Sequence, residues 1–227
     1  MATLNDLMDA ISTLLDLPSV PAILQLNSPS REHAFEAYVL SCLATAVRQA
    51  GGTAIIHGRI SGPNPDPAVF RGGHGRLGSD TQDFAYVVCH LGEKQFELHA
   101  DVQYVGSSEA IHEVDVSVYD HAAAEVIRQS PSSFAATRKL YGAIECKFYD
   151  SSLGTVLGRT FVGLVADCGT LQFKAFATNG HDLGLARYFG HGQRGTSFFG
   201  LSPIRHDVEQ RFIDFFDQSF RQWAKVV

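Results

Sequence analysis

"GAIECKFYD" (Gly142–Asp150) decides how this chain is read. Ile144, Cys146 and Phe148 alternate with Glu145 and Lys147, the period of a strand with one apolar face. The pattern predicts a strand over Tyr141–Tyr149 in which Glu145 and Lys147 share the second face. Charged residues are seldom placed in apolar strands unless they are paired or put to use.

A second stretch answers the first. In "HEVDVSVYD" (His112–Asp120) the row Val114, Val116, Val118 predicts one apolar face and sets Asp115 on the other. If the two strands pair as neighbours, the carboxylates of Asp115 and Glu145 converge beside the Lys147 ammonium. Two carboxylates ~4 Å apart repel by roughly 4 kcal/mol at an effective dielectric of 20, so the pair needs a cation or a shared proton. Hard carboxylate oxygens suit Mg²⁺, with Mn²⁺ as a substitute. A lysine beside such an ion can hold or deprotonate a water and stabilise negative charge on phosphorus, which is a workable set for phosphodiester hydrolysis. The other reading of these residues is a structural ion pair on a solvated sheet face. A lone E-x-K arises by chance in a chain of this size, and this is the only one here.

Around this pair the sequence predicts an α/β protein with one domain over 1–227. Residues 1–17 read as an amphipathic helix and Arg31 to about Gln49 as a second, capped by Ser30 and stopped by Gly51-Gly52. Residues 58–82, rich in glycine and proline, read as a long loop. Strands are predicted over Phe84–Leu91, Phe96–Val105 and Glu113–Tyr119, the first two joined by a turn at "LGEK". A short helix starts at Asp120, a helix covers 152–167, and "LQFKAFATN" (Leu171–Asn179) is a further strand. From Asp207 to Lys225 an amphipathic helix presents Val208, Phe212, Phe215, Phe216, Phe220 and Trp223.

Composition narrows the classes. Charged residues at 19% and hydrophobic ones at 45% describe a chain able to bury a core. A net charge of −6 argues against binding polyanions through bulk charge, though it leaves room for a local basic groove. No apolar run is long enough to cross a membrane, and the acidic N-terminus lacks the basic start of a signal peptide. Cys42, Cys89, Cys146 and Cys168 are far apart and without zinc spacing, so reduced buried thiols and a cytoplasmic location are expected.

The combination of an acid on one strand, "ECK" on the next and a glutamate-bearing helix upstream resembles the PD-(D/E)XK nuclease superfamily. The resemblance covers about residues 31–190. It implies a restriction-endonuclease-like core, a central mixed sheet flanked by helices, with an added N-terminal helical segment and C-terminal amphipathic helix. It also implies metal-dependent cleavage of nucleic acid, DNA favoured over RNA. Asp115 looks like the motif aspartate and Val114 replaces the proline that names the motif. Asp115, Glu145 and the Cys146 backbone carbonyl would hold Mg²⁺, and Lys147 would position or activate water. Glu36, on the first core helix, would bind a second metal or orient water, and by itself is equally a solvated helix residue. Arg159, on the helix after the motif, would approach substrate. A role in bacterial defence fits such a family. The rival class is a nuclease-fold module that binds nucleic acid or a protein without cutting. A homodimer or a partner docked on the phenylalanine-rich last helix is also compatible.

Other motifs are weaker. "RGGHGRLGS" (Arg71–Ser79) neither follows a predicted strand nor opens a helix, and reads as a flexible loop rather than a phosphate cradle. "RYFGHGQRG" (Arg187–Gly195) is either a turn or a nucleic-acid edge, with Arg187 and Arg194 meeting phosphates. His99, His112 and His121 lack ligand spacing and are expected in polar contacts. No G-x-S-x-G, Walker A or H-E-x-x-H is present.

Overall fold

Three long strands with valine and aromatic alternation form the middle of the sheet, and shorter pieces extend it on both sides. In the computed structural model, which describes residues 1–24, 31–149, 153–192 and 194–225, the chain runs as follows. Helix α1 (Leu4–Leu14) is followed by β1 (Ala22–Leu24), α2 (Arg31–Gln49), β2 (Thr53–Gly58), β3 (Gly62–Pro63), β4 (Val69–Arg71) and β5 (Gly75–Arg76). Then come β6 (Ala85–Leu91), β7 (Lys94–Val105), β8 (Ile111–Asp120), α3 (His121–Arg128), β9 (Ala135–Ala136) and β10 (Leu140–Lys147). The chain continues through α4 (Thr155–Cys168), β11 (Phe173–Thr178), α5 (Leu183–Phe189), β12 (Thr196–Phe199) and α6 (His206–Ala224).

The result is an α/β protein whose ten-stranded mixed sheet runs β12-β11-β10-β8-β7-β6-β2-β3, with β5 and β9 both paired to β7. The four strands from β10 back to β6 are antiparallel neighbours, whereas β10, β11 and β12 are parallel. The parallel step from β10 to β11 needs a crossover, and α4 supplies it. A separate pair, β1 with β4, is parallel.

Two hydrophobic masses lie against the sheet. In the larger, α1, α2 and α6 cover Phe96, Leu98, Ala100, Val116, Val118, Ile144 and Cys146. Helix α2 is buried along most of its length, as expected for a helix held between the sheet and two other helices. Tyr38 of α2 donates to Glu209 Oε2 of α6 at 2.6 Å, tying those two helices. The smaller mass holds Val102, Tyr104, Val114 and Ala143 with Ala124 of α3 and Cys168 of α4. A third cluster, Leu153, Phe161, Phe176, Leu185 and Phe189, fixes α4 and α5 on β11.

Several expectations change. Residues 58–82 are not one irregular loop, since they contain β3, β4 and β5. "RGGHGRLGS" is an ordered segment: β5 adds in parallel to β7, pairing Gly75 with Val102 and Arg76 with Gln103. Strands β2 and β12 and helix α5 carry too little alternation or length to stand out in the sequence, and they are set by tertiary pairing. "RYFGHGQRG" starts inside α5. Ser30 lies outside the described residues, as does the start of the helix predicted from 152; α4 itself begins at Thr155. All four cysteines are free and buried. Among the described residues no helix is long and apolar enough to cross a membrane.

Candidate active site

Asp115 sits where both ladders of β8 are interrupted. Toward β10 the register runs to Ile144 opposite Val116 and ends there. Beyond it the Asp115 side chain takes the place of the ladder, with the Cys146 N–H donating to Asp115 Oδ2 at 2.8 Å. Toward β7 the register pairs Ala100 with Val116 and Val102 with Val114, passing over Asp101 and Asp115. Asp101 has a left-handed backbone with φ 55°, a conformation aspartate and asparagine tolerate better than most residues. Below this point Leu98, Ala100, Val116 and Val118 face the large core, and above it Val102, Tyr104 and Val114 face the small one. The expectation that Val114, Val116 and Val118 share a face is therefore corrected: the row changes sides at the acid.

The pairing predicted for Asp115, Glu145 and Lys147 is present. β8 and β10 are adjacent and antiparallel. Lys147 Nζ lies 3.0 Å from Asp115 Oδ2 and 2.7 Å from Glu145 Oε1. Asp115 is only 5% exposed. Burial works to raise its pKa, but His74, Lys147 and the Cys146 N–H outweigh it and hold the carboxyl below its usual value. Glu145 goes the other way: burial and the neighbouring Asp115 charge raise it, against the pull of Lys147. Lys147 itself is raised, because its two carboxylates outweigh the burial that favours the neutral amine.

The sequence did not single out His74, Asp101 or His33, and all three join the acids. Pairing of β5 with β7 carries His74 to the gap in the ladder. Its Nε2 is 3.3 Å from Asp115 Oδ1 and 3.5 Å from Asp101 Oδ1, and its Nδ1 is 3.3 Å from Glu113 Oε2. Burial lowers the His74 pKa, but those acids more than reverse it and the net shift is upward. From α2, His33 and Glu36 stand three residues apart on one helix face. His33 Nδ1 lies 2.9 Å from Glu36 Oε2 and 3.3 Å from Asp101 Oδ2. Glu36 is buried, so it is not a solvated helix residue; burial, and then Asp101 and Asp115, push its pKa well up against the opposing pull of His33. Asp101 was legible in principle, as an acid within the apolar alternation of "LHADVQ" (Leu98–Gln103). His74 was not, because only the pairing of a two-residue strand places it.

Two cavities meet at Asp115. One of about 540 Å³ is lined by His74, Glu113, Asp115, Glu145, Lys147 and Arg159. α4 contributes Arg159, Thr160, Gly163 and Leu164 to its wall, so Arg159 lines the same cavity as the acids. The other, about 200 Å³, is lined by His33, Glu36, His74, Asp115, Cys146 and Lys147. Arg187 and Arg194 line neither. Arg194 stacks on the Tyr188 ring at 4.1 Å and donates to the Tyr188 carbonyl at 2.7 Å. His99 and His121 contact Glu97, and His112 contacts Asp167, all in polar pairs.

The arrangement concentrates acidic side chains: Glu36, Asp101, Asp115 and Glu145 are held together, with Lys147, His33 and His74 placed between them. Asp115 and Glu145 offer hard oxygens beside an open cavity, and one ammonium now bridges both. Carboxylate oxygens of this kind are the ligand type that small divalent cations take. Comparison with protein-family models, with curated proteins and with solved structures gave no match.

Proposed function

We propose that the chain is a metal-dependent nuclease with a restriction-endonuclease-like core, hydrolysing phosphodiesters, DNA before RNA. The observation that carries this reading is the single ammonium of Lys147 bridging Asp115 and Glu145 from adjacent strands at a cavity floor. Asp115, Glu145 and the Cys146 carbonyl would hold Mg²⁺ or Mn²⁺. When bound, the ion supplies Lewis acidity toward a phosphoryl oxygen and lowers the pKa of its water.

The chain's own groups do the rest. Lys147 keeps its proton between two carboxylates, which supports a role in steadying phosphate charge and orienting a water over a role as base. Arg159, in the same cavity, meets a backbone phosphate. The acids around the site would repel a polyanion unless a cation intervened, which supports dependence on metal. His74, above Asp115, holds that carboxylate in place through Oδ1 and leaves Oδ2 toward Lys147.

The test is cleavage of single- and double-stranded DNA and RNA with Mg²⁺ or Mn²⁺, beside Asp115→Asn. Activity in the wild type, its loss in the variant and its loss in excess EDTA are expected. Cleavage that survives EDTA would overturn the metal site. Nucleic-acid binding without cleavage under every metal would move the chain to the non-cutting class.

A further inference from the structure

The second cluster around the small cavity has a different donor chemistry from the first. His33 Nδ1, a Glu36 carboxylate oxygen and an Asp101 carboxylate oxygen all lie within 4.8 Å of one another. Two of these residues come from one turn of α2 and the third from β7 across it, so the backbone fixes their spacing before any ligand arrives. Asp101 is 0% exposed, and neither of its oxygens makes a well-aligned hydrogen bond, although His33 and Glu36 stand close enough to interact with it. The imidazole nitrogens beside it, His33 Nδ1 at 3.3 Å and His74 Nε2 at 3.5 Å, are in ion-pair range. A buried carboxylate without well-aligned hydrogen bonds is costly, and here it is held by a backbone in the left-handed region. Two electron-pair donors of that kind facing an imidazole nitrogen suit a cation of higher charge than a proton.

We infer that His33, Glu36 and Asp101 form a separate divalent-metal site that takes a first-row transition ion of the Mn²⁺ or Zn²⁺ kind in preference to Mg²⁺. Mixed imidazole and carboxylate donors favour those ions, whereas Mg²⁺ prefers oxygen alone. The ion replaces the His33 Nδ1 proton, which leaves to solvent, and waters from the small cavity complete its shell. A comparable cluster elsewhere does not qualify. Glu97, His121 and Glu125 also lie within joint reach of an ion, but Glu97 is already satisfied by Arg128, His99 and His121. The site uses none of the Asp115–Glu145 ligands, and it holds whether or not the chain cuts nucleic acid.

The experiment is Mn²⁺ titration of the metal-free protein by calorimetry, with pulsed electron paramagnetic resonance to detect ¹⁴N coupling to the bound ion, and parallel Zn²⁺ and Mg²⁺ titrations. In the wild type, Mn²⁺ with nitrogen coupling and tighter binding of Zn²⁺ than Mg²⁺ are expected. His33→Gln should remove the coupling and weaken binding at this site at least about tenfold. Asp101→Asn, which suits the left-handed backbone, should weaken it by a similar factor, while Glu145→Gln should leave the coupling intact. Melting of each variant without metal checks folding, and should Asp101→Asn fail to fold, Glu36→Gln takes its place. Nitrogen coupling that persists in His33→Gln, equal affinity in wild type and His33→Gln, or no Mn²⁺ or Zn²⁺ binding would each overturn the site. Cleavage is not read at any point, so failure of the nuclease reading leaves this result standing.

Discussion

Lys147 neutralises two buried acids with one charge, so its removal has consequences for both stability and rate. Lys147→Met would leave Glu145 without its cation and Asp115 with His74 alone. In metal-free buffer this variant should be less stable than wild type by on the order of 3 kcal/mol. Millimolar Mg²⁺ should return more stability to the variant than it gives the wild type, because the cation takes over the lost charge. Urea unfolding with and without Mg²⁺ checks this, and an equal gain in both would argue against an ion at Asp115. In single-turnover cleavage, Lys147→Ala should slow the reaction by about 10²–10⁴-fold. Its metal affinity should be unchanged or higher. The sequence exposed this trio because all three residues stand in strong alternation. It hid His74, whose position depends on a strand of two residues.

At the scale of elements, β7 does more than its alternation reveals. Its first half pairs with β6, its second with β5 and β9, and Asp101 marks the change of partner. The same strand carries Glu97, fully buried, with Arg128 Nη1 of α3 donating to its Oε2 at 2.8 Å and His121 Nδ1 2.6 Å from its Oε1. Burial would raise Glu97, but Arg128, His121 and His99 overcome it and hold the carboxyl below its ordinary value of about 4.5. The folded state therefore binds fewer protons there than the unfolded chain. The Glu97 contribution is full above about pH 4.5 and is lost as pH falls through the lower folded value. Arg128→Ala should cost about 3–5 kcal/mol at pH 7, where it strands a buried charge. The cost should shrink near pH 4, where burial lets Glu97 take up a proton. Urea unfolding at the two pH values measures the difference. The sequence located β7, β8 and β10 by period and missed β2, β12 and α5, which are held by neighbours rather than by pattern.

For the whole molecule, the phenylalanine-rich last helix closes the large core instead of offering a docking face. Phe216 and Phe220 are fully buried, Trp223 nearly so, and only Phe215 on that stripe reaches solvent, at 37%. Phe220 stacks on Phe96 at 5.5 Å and meets Phe173 at 4.9 Å, joining α6 to β7 and β11. Phe220→Ala should destabilise the protein by about 3–5 kcal/mol, seen as a lower midpoint of thermal unfolding at every concentration. The amphipathic stripe was plain in the sequence. Which partner it covers was not, because an apolar helix face can meet its own sheet or another chain equally well. The acid strip lies at the border of the two cores, and that too follows from the path of the chain rather than from any local pattern.

The amide of Cys146 is a main-chain donor on β10 aimed at a side-chain carboxylate across the break in its ladder. Its proton is therefore a resident probe. In a ¹⁵N-resolved spectrum it should resonate downfield while Asp115 is ionised and move upfield as acid protonates that carboxylate. A cation drawing on the same Asp115 oxygen should shift it again, by a step that saturates with added ion. One backbone signal thus reads the charge state of the acid at the centre of the site, without substrate, turnover or mutation.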